Sequence, residues 1–117
     1  MAGFTNAFSK IVLDDELVAG DYIAWSENGT TETGLLARTA VGSWAAATTA
    51  DPSIKDNAGT VTSAGSSGAG TISHYAVFSA ATAGVQKTDW DALDVSRAVT
   101  LGAKLSAATG EINVTLT

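Results

Sequence analysis

The densest β-forming run in the chain spans residues 71–80 and reads TISHYAVFSA. Side chains alternate between the two faces of a strand, so Ile72 and Phe78 share one face while Tyr75 and Val77 share the other. Apolar bulk on both faces is typical of a central strand that is covered on both sides. The rest of the chain is therefore expected to pack around this run.

Turn residues divide the remaining sequence into short segments at a spacing of about 8–12 residues. Strands are predicted over residues 21–26, 35–41, 43–48, 60–63, 71–80, 85–93, 97–101, 104–106 and 111–117. Residues 81–84 have turn composition, so 71–80 and 85–93 are expected to pair as a hairpin. Seven to nine short strands predict an all-β fold, a β-sandwich of jelly-roll or Greek-key type.

Only a few large side chains are available to build the core, because alanine supplies much of the 45% hydrophobic content. In residues 111–117, Ile112, Val114 and Leu116 alternate with polar residues, the pattern of a half-buried strand. The predicted structural core consists of Trp25, Ile72, Tyr75, Val77, Phe78, Trp90, Ile112, Val114 and Leu116.

Residues 4–18 carry the one helical signal in the sequence, with Thr5 or Asn6 as the N-cap. Acids at 14–16 are unfavourable at a helix C-terminus, so the helix is expected to end near Leu13. Its apolar stripe is made of Phe4, Phe8, Ile11 and Val12, with Leu13 as a further candidate, and we expect this stripe to pack on the core.

The 117 residues are predicted to form a single domain. Residues 1–20 are expected to be an N-terminal helix, with an extended arm lying across a neighbouring subunit as the alternative. Residues 21–117 are expected to form the sandwich.

Composition excludes several classes of function. Twelve acids against six bases give a net charge of −6, and the bases are scattered, so no nucleic-acid partner is predicted. The sequence has no cysteine and no apolar run long enough to span a membrane. The N-terminus lacks the pattern of a secretion signal.

No catalytic residue, cofactor site or metal site is predicted, and the protein is expected not to be an enzyme. His74 is the sole histidine, and Ser73 and Ser79 are expected on the opposite face of its strand, so a catalytic triad is not indicated. Asp89, Asp91 and Asp94 lack the further ligands of a calcium loop, so a solvated strand end is expected, with a weak cation site as the alternative.

Charged residues make up 15% of the chain, below the usual quarter, which favours packing against other proteins. Trp44 follows Gly42 and Ser43 and is otherwise surrounded by alanine and threonine, so it is a candidate for an intersubunit contact. Phe4 and Phe8 are the other interface candidates.

Residues 70–84, GTISHYAVFSAATAG, resemble a signature of small virion proteins of tailed bacteriophages. The resemblance continues through WDAL at 90–93 and through residues 98–116, and it is looser before residue 70. The family often has Ala-Asp-Pro after its first strand, whereas this chain has WSENG at 25–29, so the strand register of 26–60 stays open.

The resemblance implies a non-enzymatic structural protein of the virion, assembled in the bacterial host cytoplasm. The expected role is a capsid decoration (cement) subunit that binds the major capsid protein as a homotrimer. A tail-fibre or tail-tip subunit is the alternative within the same class. A carbohydrate-binding β-sandwich that uses exposed tryptophan and aspartate is the alternative from another class.

Overall fold

The computed structural model describes residues 3–116, which form one helix and eight short strands in three antiparallel sheets. The predicted mostly-β fold with one N-terminal helix is confirmed. In chain order the elements are α1 (Asn6–Glu16), β1 (Tyr22–Ser26), β2 (Thr39–Ala40), β3 (Ser53–Asp56), β4 (Val61–Thr62), β5 (Gly70–Phe78), β6 (Asp91–Val99), β7 (Ser106–Ala107) and β8 (Asn113–Leu116).

Strand β5 is the centre of the largest sheet, whose order is β2-β1-β5-β6. The other two sheets are the pairs β3-β8 and β4-β7. Trp25 of β1 lies opposite Tyr75 of β5, and Ile72 lies opposite Arg97 of β6. Trp25, Ile72 and Tyr75 are buried, so the predicted central strand is confirmed.

The partner strand β6 differs from the prediction, because it runs over Asp91–Val99 rather than 85–93. Residues 85–87 do turn back along β5, and the Lys87 amide donates to the Val77 carbonyl at 2.7 Å. The Val77 amide, however, donates to the Thr88 hydroxyl at 3.0 Å. The Thr88 side chain therefore takes the place of a main-chain acceptor for Val77, and regular pairing with β5 begins only at Asp91.

Strand β3 was not predicted, because residues 51–59 have the composition of turns. Ser53–Asp56 pairs with β8 in register, from Ser53 opposite Leu116 to Asp56 opposite Asn113. Its buried positions are Ser53 and Lys55, so the hydrophobic alternation that marks a strand is missing.

Two predicted strands are largely replaced by irregular chain. Of residues 35–41 only Thr39–Ala40 pairs, with β1. Residues 43–48 run beside β3 as an irregular segment, where the amide of Ala45 donates to the Asp56 carbonyl and that of Thr48 to the Ile54 carbonyl.

The buried core contains five of the predicted core residues, and two more pack against it. The five are Trp25, Ile72, Tyr75, Val77 and Ile112, and the half-buried two are Val114 and Leu116.

Phe78 and Trp90 lie outside this core, contrary to the prediction. Their ring centroids are 6.1 Å apart. The guanidinium of Arg38 covers the Phe78 ring at 3.8 Å from its centroid, and it is held there by the carbonyls of Ala80 and Ala83. The Phe78 ring at this end of β5 is thus packed against the Arg38 cation rather than against apolar side chains of the core.

Helix α1 begins at Asn6 with Thr5 as N-cap, whose hydroxyl accepts the Phe8 amide at 3.2 Å. It continues to Glu16, so the predicted end near Leu13 is wrong. Acidic residues are tolerated in the last turn because the Asp14 carboxylate accepts hydrogen bonds from the ammonium groups of Lys10, at 2.6 Å, and of Lys55 on β3, at 2.7 Å.

The packing face of α1 differs from the predicted stripe, of which only Val12 and the further candidate Leu13 turn inward. Ser9 and Leu13 are the buried helix residues, while Phe4, Phe8 and Ile11 are 53%, 47% and 53% exposed. With about 100° per residue, Phe8 and Ile11 lie roughly 140–160° around the helix from Leu13, whereas Phe4 precedes the N-cap and places its ring against Phe8. Val12 is half-buried. The segment is a helix on its own fold rather than an extended arm.

The contact between Asp14 and Lys55 can be tested by Asp14→Asn, which leaves the nearly buried Lys55 ammonium without its counter-charge. We expect the free energy of unfolding at pH 7 to fall by about 1–3 kcal/mol, because Asp14 is partly exposed. Asp15→Asn, at an exposed helix position, is the matched control. Urea titrations of both variants give the values, and equal stabilities would contradict the role of Asp14.

The same carboxylate predicts an acid dependence. Hydrogen bonds from Lys10, then from Lys55 and the Ala47 amide, hold the pKa of Asp14 well below its usual 3.8. The unfolded chain binds this proton more readily, so the stabilisation is present above pH 3.8 and is lost as the pH falls below it. The difference between parent and Asp14→Asn should therefore shrink in melts at pH 3.

Candidate interaction surface

The side chains of Ser73 and His74 meet in the structure. A register irregularity between Ile72 and His74 brings the Ser73 hydroxyl to 2.7 Å from the His74 Nδ1, whereas the sequence placed them on opposite faces. The hydroxyl also lies 3.0 Å from the carbonyl of Glu27, which can only accept. The one serine proton can go either to the Glu27 carbonyl or to the His74 Nδ1, and the tautomer of His74 decides which.

The three aspartates of the predicted strand end do not converge. Asp91 lies 3.3 Å from the Tyr75 hydroxyl oxygen, while Asp94 lies against Arg97 at 3.3 Å. Asp89 is exposed. Among the described residues, no group of three or more acidic or histidine side chains is arranged to hold a metal ion.

Trp44 is anchored within its own chain. Its indole N–H donates to the Val18 carbonyl at 3.1 Å, and its main chain bridges to Asn57. It is half-buried against the core. The ring therefore ties the chain after α1 to the start of the irregular segment, and its role as an intersubunit contact stays a prediction.

The first surface feature is an apolar stripe called here the α1 stripe. It is formed by Phe8 and Ile11 of α1 together with Phe4, which lies just before the N-cap of the helix. The rings of Phe4 and Phe8 meet edge to face, with centroids 5.0 Å apart. The helix that carries them is fixed at its C-terminal end, where Lys87 donates to the Glu16 carbonyl at 2.6 Å. The stripe is thus an exposed apolar surface on a rigid support.

The second feature is an open groove of about 930 Å³ between α1, residues 85–91 and β8. Tyr75 lies at its base. The walls include Val12, Leu13, Val85, Trp90, Val114 and Leu116.

The Tyr75 hydroxyl joins the large sheet to β8. It donates to the Asn113 carbonyl at 3.0 Å and accepts from the Asn113 amide at 3.1 Å. Burial is the main reason that the pKa of Tyr75 is raised to about 12; the Asn113 hydrogen bond opposes the rise, and the nearby Asp91 charge adds to it.

The groove is acidic at its rim. Glu16, Asp89 and Asp91 line it together with one cation, Lys87. That cation is already paired, because its ammonium lies 2.7 Å from the buried carboxylate of Asp21.

Sequence reasoning missed the groove, although it singled out several of the residues that line it, such as Tyr75, Trp90 and Val114. Lys55 and Lys87 are single charges without a local motif, and their partners Asp14, Asp21 and Glu16 are 41 to 71 residues away along the chain. The acidic run at 14–16 is evident in the sequence, but the residues that contact it in the fold, such as Lys55 and Lys87, are not.

The contact between Gly29 and His74 generates one prediction. Gly29 has φ +75°, and a Cβ there would lie 2.9 Å from the His74 Nε2. Gly42 has φ +80° but open space around it, so an alanine at this position measures the cost of backbone strain without a steric clash. Gly42→Ala should destabilise by roughly 1 kcal/mol, and Gly29→Ala by more, up to about 3 kcal/mol.

Adding His74→Ala to Gly29→Ala should remove the part of the destabilisation by which Gly29→Ala exceeds Gly42→Ala, as measured by thermal melting. An unchanged Gly29→Ala penalty in the double variant would contradict the contact.

Tyr75→Phe should lower the free energy of unfolding by about 1–3 kcal/mol, because the main-chain groups of Asn113 lose their partner. Tyr22→Phe is the matched control, since the Tyr22 hydroxyl makes no hydrogen bond within residues 3–116. The folded state holds the Tyr75 proton more tightly, so parent stability should fall as pH rises from 10 towards 12. In Tyr75→Phe the part of this stability loss that is due to Tyr75 should be absent. Identical stability profiles of parent and variant at alkaline pH would contradict the raised pKa of Tyr75.

Two comparisons bear on identity. No protein-family model matches the chain, and no curated protein sequence matches it. Within residues 3–116 no helix has the length and apolar character needed to cross a membrane.

Proposed function

We propose that this chain is a non-enzymatic structural subunit of a tailed-bacteriophage virion. In this proposal it is a capsid decoration subunit that binds the major capsid protein, forms homotrimers on the shell, and has the β-sandwich architecture of the jelly-roll or Greek-key type. The resemblance of residues 70–116 to small virion proteins supports the class of protein.

The observation that carries the proposal is the exposure of the α1 stripe. An aromatic pair and an isoleucine, each about half exposed, lie on the face of α1 that points away from the core. Large apolar side chains that remain in water and are held rigidly are typical anchors of a protein interface. Little ordering is needed when they bind, because the helix is already formed.

The low charge of the chain supports the same role. Charged residues make up 15% of the sequence, and of the six cations, Lys10, Arg38, Lys55, Lys87 and Arg97 already form ion pairs. Such a surface can be covered by another protein with little desolvation of unpaired cations. A decoration subunit would act by covering seams between capsid subunits.

The α1 stripe can be tested by Phe8→Gln, which removes an aromatic anchor and keeps a good helix former. We expect binding to heads assembled without this subunit to weaken by at least about tenfold. Stability should change by less than about 0.5 kcal/mol, because Phe8 is exposed. Co-sedimentation with the heads and thermal melting give the two quantities.

Leu101→Gln is the matched control, since Leu101 is 78% exposed and lies on the turn after β6. It should bind heads like the parent. Normal binding by Phe8→Gln would contradict the stripe as the contact, and absence of the parent protein from any head preparation would contradict the decoration role.

A further inference from the structure

The hydrogen bonds around β3 reveal which way the main chain of β8 points. In an antiparallel pair, residues alternate between those bonded to the partner strand and those whose N–H and C=O point away from it. The carbonyls of Ile54 and Asp56 accept amides of the 45–48 segment at 2.9 and 2.8 Å, so they face away from β8. Their register partners Thr115 and Asn113 therefore direct their main-chain groups to the outer edge of β8.

This outer edge is only half occupied. The N–H and C=O of Asn113 are both bonded to the Tyr75 hydroxyl. Thr115 is exposed, and in the described part of the chain its N–H and C=O have no partner on this edge. Both residues line the groove. One free donor and one free acceptor at strand geometry form an edge to which another strand can add.

The side chains around this edge favour a ligand with positive charge. Apolar walls are provided by Val85 and Trp90, and the rim carries Glu16, Asp89 and Asp91. The lining cation, Lys87, is neutralised by Asp21. The groove therefore offers an apolar base with an uncompensated negative rim, which is complementary to a basic and partly apolar ligand.

We propose that the groove binds an extended basic segment of a partner protein, which adds as a strand to β8 at Thr115. The main chain of the segment would bond the N–H and C=O of Thr115. Its side chains would alternate, placing a cation near Asp89 and an apolar group against Trp90. A sugar could also contact Trp90 and Asp89, but the main-chain donor and acceptor of Thr115 match a peptide.

This site is separate from the α1 stripe, which lies on the far side of the helix from Leu13, a groove residue. The proposal does not depend on the virion role, and it is tested on the isolated protein.

The test is a titration of ¹⁵N-labelled protein with an acetylated and amidated six-residue peptide of alternating lysine and valine. We expect saturable shifts of the Thr115 amide and the Trp90 indole N–H, together with slower hydrogen exchange of the Thr115 amide. A peptide with glutamate in place of lysine should bind at least about tenfold more weakly. The lysine peptide with N-methylated amides should give no saturable shift, since it cannot pair as a strand.

Variants locate the site on the protein. Asp89→Asn should weaken the lysine peptide about two- to fivefold, whereas Asp51→Asn, at another exposed acid, should not. Thr115→Pro removes the outward N–H without removing a β3–β8 bond, so it should abolish binding in a protein that still melts cooperatively. Should Thr115→Pro fail to fold, the N-methylated peptide still decides the matter.

Three outcomes would overturn the proposal. One is equal binding of the lysine, glutamate and N-methylated peptides, and another is a shift map that excludes Thr115 and Trp90. The third is slow exchange of the Thr115 amide without peptide in a protein that sediments as an oligomer, because a second copy would then fill the groove.

Discussion

The ion pair between Asp14 and Lys55 is the contact on which both candidate surfaces depend. Lys55 lies on β3 with its ammonium nearly buried, and a buried charge requires a counter-charge. Asp14 supplies it from α1, and this pairing favours the rotation of the helix in which Leu13 faces inward. Phe8 and Ile11 must then face outward, since they lie on the opposite side of the helix.

Tyr75 has a comparable role at the other end of the groove. It belongs to the central strand, yet its hydroxyl satisfies the main chain of Asn113 on β8. The large sheet and the β3-β8 pair are thereby held together at one point. Beyond that point, Thr115 has no main-chain partner on this edge of β8 among residues 3–116.

The two surfaces differ in the kind of partner that they suit. The α1 stripe is apolar and projects from the molecule, so it matches an apolar recess on another protein. The groove is concave and acidic at its rim, and it offers main-chain hydrogen bonds, so it matches an extended basic segment. A subunit with both could contact two different parts of an assembly, or two neighbouring subunits of one.

Features that depend on neighbouring residues were determined by the sequence alone. The run around Tyr75, the strand at 113–116, and a helix capped by Thr5 follow from side-chain alternation and local hydrogen bonding. Tertiary structure decided the strand at 53–56, the face of α1 that is buried, and the groove. These depend on pairs such as Asp14 with Lys55 and Tyr75 with Asn113, which lie 41 and 38 residues apart, and local periodicity contains no information about which distant charge or hydroxyl will satisfy a buried group.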